Sequence, residues 1–154
     1  MNLGNKLKTH QNALKFKSYL EDIRLILSKD KRKNVESVLE EDNELAKIVL
    51  NLVKSSDAEP TDPSSIIEFL DKLIHQVDSL EKIDLTIAVE PTEDLVRDIS
   101  DWVQKEVKDN VLIDIEVDPE ALGGIKLSYK GNYIDLSLDK RLKETFENKE
   151  VNLK

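Results

Sequence analysis

Near residue 82 the hydrophobic period of this 154-residue chain changes from 3.6 to 2. Upstream, Phe16, Leu20, Ile23 and Leu27 fall at i, i+4, i+7 and i+11, which is one face of a helix. Val35, Val38 and Leu39 suggest a short second helix. Leu45, Ile48, Val49, Leu52 and Val53 make a third, with Asp42 or Asn43 as its candidate N-cap. Ile66, Leu70, Leu73, Val77 and Leu80 make a fourth, which Ser64 or Ser65 can start. Downstream, Ile83, Leu85, Ile87 and Val89 alternate with Asp84, Thr86 and Ala88, the period of a strand. No single element type satisfies both periods. The expected fold is therefore α+β: a helical bundle over 1–80, then a small α/β domain over 82–147.

Local signals order the second domain as strand, helix, strand, strand, strand, helix. Pro91 stops the first strand, and Thr92 is placed to cap a helix with Glu93 and Asp94 in its first turn. Leu95, Ile99, Trp102 and Val103 carry that helix, with Trp102 expected in the core against the sheet. Its length suits the crossover that two parallel strands need. Val111, Ile113, Ile115 and Val117 alternate again until Asp118-Pro119. Gly123-Gly124 leads into a hairpin, Ile125 to Leu136, that turns at Lys130-Gly131-Asn132. Asp139 opens a last amphipathic helix through Leu142 and Phe146, and residues 148–154 read as a frayed tail. Ser55 to Pro63 has no apolar period and two prolines, so it reads as a loop.

Composition excludes much chemistry. The chain has no Cys, which removes disulfides, thiolate metal sites and cysteine nucleophiles. Two distant His residues, His10 and His75, leave little for a metal site or a triad. Asp94, Asp98 and Asp101 share one helix face. A single face does not converge oxygens on a cation, so they read as a solvated row. Gly123-Gly124 lacks the following Lys and Ser or Thr of a phosphate loop, and reads as a backbone bend. Ser137 has no neighbouring His base, and Asp135 with Arg141 reads as a structural pair. No cofactor, metal or catalytic residue is expected.

Net charge is −9, which disfavours nucleic acid as a partner. The charge is unevenly spread. Residues 1–33 carry nine Lys and Arg against three Asp and Glu, +6; the rest carries fourteen against twenty-nine, −15. With Leu3, Leu7 and Leu14 between lysines, the start could lie on anionic lipid. The favoured reading is a helix packed through Phe16 and Leu20 with its lysines in solvent. A groove that receives an acidic or amphipathic segment fits the asymmetry equally. No apolar run nears the roughly 18 residues of a membrane span, and no secretory or transit leader is evident.

Three blocks resemble the delta subunit of F-type ATP synthases, the oligomycin-sensitivity-conferring protein family. Leu85-Thr86-Ile87-Ala88-Val89-Glu90-Pro91-Thr92-Glu93 is similar to the family's strand, its Ala-Val-Pro junction and the acidic helix start, with Glu90 as a departure. Val117-Asp118-Pro119-Glu120-Ala121-Leu122-Gly123-Gly124-Ile125 is similar to its Asp-Pro-x-Leu-Ile-Gly-Gly block, with Ala121 in place of a larger aliphatic. Ile134-Asp135-x-Ser137-x-x-x-Arg141-Leu142 is similar to its closing signature. Order and spacing make the match specific from Leu85 to Phe146. Upstream the agreement is in kind only, and room for about four helices implies an abbreviated bundle.

The resemblance implies a non-catalytic stator connector that resists rotor torque during proton-driven ATP synthesis. Its N-terminal bundle would bind the alpha-subunit N-terminal helices on the catalytic head. Its C-terminal domain would bind the end of subunit b in the peripheral stalk. Asp118, Pro119, Gly123, Gly124, Asp135, Ser137 and Arg141 would be motif residues of structural role. Phe16, Leu20, Ile23, Leu142 and Phe146 are the candidate partner contacts. The chain would sit peripherally on the cytoplasmic face of the plasma membrane, within the complex, without being an obligate homo-oligomer. The alternative is a stand-alone helical adaptor or regulatory binding module.

Overall fold

A computed structural model describes residues 2–30, 35–39, 44–56, 62–120 and 123–135. The chain divides into two compact units. One is Asn12–Leu80; the other joins Met1–Gln11 to Glu81–Lys154. The first eleven residues thus go with the α/β unit, whereas the hydrophobic period alone groups them with the helices.

The helical unit contains most of α2 (His10–Lys29), with α3 (Val35–Val38), α4 (Glu44–Lys54) and α5 (Pro63–Asp78), numbered after a short α1 (Leu3–Leu7). Ala13, Phe16, Leu20, Ile23 and Leu27 form the buried stripe of α2. Ala46, Val49, Leu52 and Val53 do so in α4, and Ile66, Leu70, Leu73 and Val77 in α5. Each stripe follows the three-and-four spacing that one helix face requires. The N-cap of α5 is Asp62 rather than Ser64 or Ser65. Its carboxylate accepts from both of those backbone N–H groups, at 3.1 and 3.0 Å, and Pro63 supplies a pre-set first turn. On the surface, Lys17 pairs with Asp78 at 2.7 Å and Arg24 with Asp71 at 2.6 Å, tying α2 to α5.

The α/β unit has β1 (Lys82–Ile87), α6 (Glu93–Glu106), β2 (Leu112–Val117), β3 (Ile125–Tyr129) and β4 (Asn132–Asp135). The strand order is β2-β1-β3-β4. β1 and β2 are parallel with Leu85 opposite Ile115, and the remaining pairs are antiparallel. Ile83, Leu85, Ile87, Val111, Ile113 and Leu127 meet Ile99 and Val103 of α6 in one core. Thr92 caps α6, its hydroxyl accepting from Leu95 N–H at 3.3 Å. The β3–β4 hairpin turns on Lys130 and Gly131, with φ of 48° and 80°, the two positive values that a tight right-twisting hairpin needs. The expected helix at 139–147 and the tail at 148–154 lie outside the described residues, as do Asp42 and Asn43.

The first eleven residues are held to this unit by specific contacts. Asn2 caps α1 by accepting from Asn5 N–H at 3.1 Å. Lys8, at φ 61°, ends α1 and lets the chain restart as α2. Leu3 and Leu7 are buried, and α1 packs on α6 and β2.

Candidate interaction surfaces

Asp118, Pro119, Gly123 and Gly124 build the connection from β2 to β3, the two strands that flank β1. Asp118 N–H donates to Ile87 O at 2.8 Å, pinning the connection to the end of β1. Its side chain accepts from Glu120 N–H at 3.0 Å, closing a local turn. Gly123 and Gly124 adopt φ of 97° and 91°, a region closed to ordinary side chains without strain. The pair is therefore a bend that delivers Ile125 to its partner Ile87. Asp135 stands opposite Lys126 in β4. Ser137, Arg141, Leu142 and Phe146 lie outside the described residues.

Phe16, Leu20 and Ile23 do not form a surface. They are at most 2% exposed and make the interior of the helical unit. The outward apolar residues of α2 are instead Leu14, Leu25 and Ile26, at 54%, 52% and 38%. Leu14 and Leu25 are eleven residues apart, three turns, and so share a face. Trp102 also departs from expectation, being exposed. At about 100° per residue it lies about 100° around α6 from Val103, on the margin of the buried face. Val89, Tyr133 and Ile134 are the other outward large apolar residues of the α/β unit among the described residues.

Among the described residues, many charged side chains pair with one another. Asp94 and Asp98 flank Arg97, at 2.8 and 3.6 Å, and Asp101 takes Lys8 at 2.9 Å. Part of the basic N-terminal charge is thus spent within the fold, in Lys8, Lys17 and Arg24. Glu81, which precedes β1, gathers Lys108 at 2.8 Å, Lys130 at 3.0 Å and the Tyr129 hydroxyl. The two ammonium groups lie 5.8 and 5.4 Å from the Tyr129 ring centre, within cation–π range. Hydrogen bonds from Lys108, then Tyr129 and Lys130, bring the Glu81 carboxyl down to about 2. Nothing in the spacing of these residues announces the cluster; it needs the sheet register to form. Among the described residues, no group of His, Asp and Glu is arranged to hold a metal ion, and no helix is long and apolar enough to cross a membrane. His75 is exposed on α5.

Comparison with known proteins places this architecture. The family model described as "ATP synthase delta (OSCP) subunit" matches residues 3–148. The ATP synthase subunit delta of Moorella thermoacetica is 25% identical over 118 residues, 77% of this chain. The chain spans 66% of that relative's length. A chain in the cryo-EM structure of the Polytomella F-ATP synthase, primary rotary state 3, is similar over 47% of this chain and 96% of that one. Its identity is 18% and its TM-score 0.41. With the family model spanning both units almost end to end, the chain belongs to the ATP synthase delta (OSCP) subunit family.

Proposed function

We propose that this protein is a non-catalytic connector in the stator of an F-type ATP synthase, holding the catalytic head to the peripheral stalk against rotor torque. The observation that carries this reading is the family match over residues 3–148, which takes in both units and not one borrowed domain. Two separate cores also suit a protein with two partners. In this reading the helical unit binds the N-terminal helices of the alpha subunits. Leu14, Leu25 and Ile26 replace the buried Phe16 stripe as the apolar contact. The lysines of α2 add salt-sensitive attraction for an acidic helix face, chiefly through the association rate. The α/β unit binds the end of subunit b, with Leu142 and Phe146 as contacts and Trp102 as an exposed aromatic anchor. The protein is then peripheral, on the cytoplasmic face of the plasma membrane, within the complex.

The experiment is calorimetric titration of the full chain with an alpha N-terminal peptide and a subunit b C-terminal peptide, at low and high salt. The expected result is two independent sites. Leu25→Asp abolishes binding of the first peptide and leaves the second intact. Binding of neither peptide by the folded chain refutes the reading in favour of a stand-alone adaptor.

A further inference from the structure

The α/β unit is built from two pieces of sequence, Met1–Gln11 and Glu81–Lys154. The buried residues of the core between its sheet and α6 run from Ile83 to Leu127, all in the second piece. Residues 2–9 are added to that core, on α6, on β2 and on the connection Asp109–Val111 between them.

The added segment is seated by directional contacts along its length. Asn2 Nδ2 donates to Asp109 Oδ1 at 2.8 Å, and Gly4 N–H donates to Asn110 Oδ1 at 2.9 Å. Ile113 N–H, on the edge strand β2, donates to Lys8 O at 2.8 Å, and Thr9 stands in parallel register with Ile113. The Lys8 ammonium meets Asp101 of α6 at 2.9 Å. Leu3 and Leu7, one helical turn apart on the same face, are each 2% exposed.

Two features select a particular sequence. Gly4 lies against backbone: a Cβ there would stand 2.7 Å from Asn110 C and 2.8 Å from Val111 N, so a larger residue fits only if that backbone moves. Further, α1 has five residues, too few to hold a helix alone in water. Its first turn is completed by polar side chains, with Asn5 N–H taken by Asn2 and Gly4 N–H by Asn110. Asn110 holds a φ of 57°, a left-handed value that this residue type tolerates.

We propose that α6, Asp109–Val111 and the start of β2 form a peptide-recognition site whose ligand is the chain's own residues 2–9. The ligand is a single helical turn with Asn before it, Leu at its first and fifth positions and Gly at its second, followed by a Lys that joins the sheet edge. The rest of the α/β unit then binds the same peptide when it is supplied from outside. The inference rests on contacts inside the α/β unit and does not depend on the stator reading.

The test uses the full chain lacking residues 1–9, 15N-labelled and titrated with a synthetic peptide of residues 1–9. Saturable shifts are expected at the amides of Asp101 and Asp109–Ile113, ending at their positions in the native chain. The native chain, whose site is filled, gives no shift with the same peptide. A Gly4→Leu peptide gives none with the deleted chain. Asn110→Gly in the deleted chain keeps the left-handed backbone, loses the acceptor for Gly4 N–H and weakens the native peptide by about two- to tenfold. The Lys8–Asp101 pair is exposed, so Lys8→Ala in the peptide changes affinity by less than about threefold. No saturable shift in a folded deleted chain overturns the proposal, as does equal binding of the Gly4→Leu peptide. Equal shifts in the native chain also overturn it, because the peptide would then bind elsewhere. If deletion unfolds the α/β unit, refolding by the peptide supports the proposal, and failure to refold overturns it, since residues 2–9 would then be an obligatory part of the core.

Discussion

Replacing Leu20 by Ala separates interior from surface on α2. Leu20 is 0% exposed. The substitution removes three carbon groups, about 2.4 kcal/mol of transfer free energy at ~0.8 kcal/mol each. Incomplete collapse of the cavity brings the expected loss to about 3 kcal/mol. The helical unit, Asn12–Leu80, has 69 residues. At roughly 0.05–0.15 kcal/mol per residue its whole stability is about 3–10 kcal/mol. Leu20→Ala therefore removes between a third and nearly all of it. Leu25→Ala, on a residue 52% exposed, should change stability by no more than about 0.5 kcal/mol. Urea denaturation of the full chain, with hydrogen exchange read at α2 and α5 amides, reports this unit by itself. A Leu20→Ala chain within 1 kcal/mol of native (a fraction of the loss expected for a buried leucine), or a Leu25→Ala chain as weakened as Leu20→Ala, would refute the assignment of the α2 faces.

Three further outcomes follow from the local geometry. Glu81 has a depressed pKa near 2 against an ordinary 4.5. Its contribution is thus complete above pH 4.5 and is lost as pH falls from there to about 2; acid titration of the α/β unit should show this loss, and Glu81→Gln should flatten it. Gly131→Ala meets no atom within 4 Å but inherits φ 80°; denaturation should show a cost of about 1 kcal/mol, largely recovered by Gly131→Asn. Asp62→Ala removes the double cap of α5 and should cost about 1 kcal/mol, with the earliest exchange at Ser64 and Ser65 amides.

Much of the fold was legible because each element buries one face, and a buried face leaves a period. The stripes of α2, α4 and α5 and the alternation in β1 follow from that, whereas the Thr92 cap was legible from its hydroxyl, which can take an unpaired first-turn N–H. The hairpin turn was legible because Gly131 takes one of its two positive-φ positions, although Lys130 holds the other. What a stripe does not say is what covers it. Phe16, Leu20 and Ile23 looked available to a partner, yet the chain's own helical unit encloses them. Trp102 sat on a helical repeat but at its margin, where a small rotation decides exposure. The packing of residues 2–9 on the α/β unit was invisible for a different reason. Gly4 matters only because the Asn110–Val111 backbone approaches it, across 106 residues of sequence. The motif blocks pointed to the family through order and spacing. Their structural reasons, such as the Asp118 carboxylate that accepts from Glu120 N–H and closes the turn after β2, appeared only with the structure.

The connector role is tested most directly by reconstitution. F-type ATP synthase membranes stripped of head and delta subunit are mixed with purified head, with and without this chain. Head rebinding and proton-driven ATP synthesis are then measured. The account predicts that the head rebinds and synthesis returns only when the chain is present, with no ATP turnover by the chain alone. Rebinding and synthesis that are the same without the chain would contradict it.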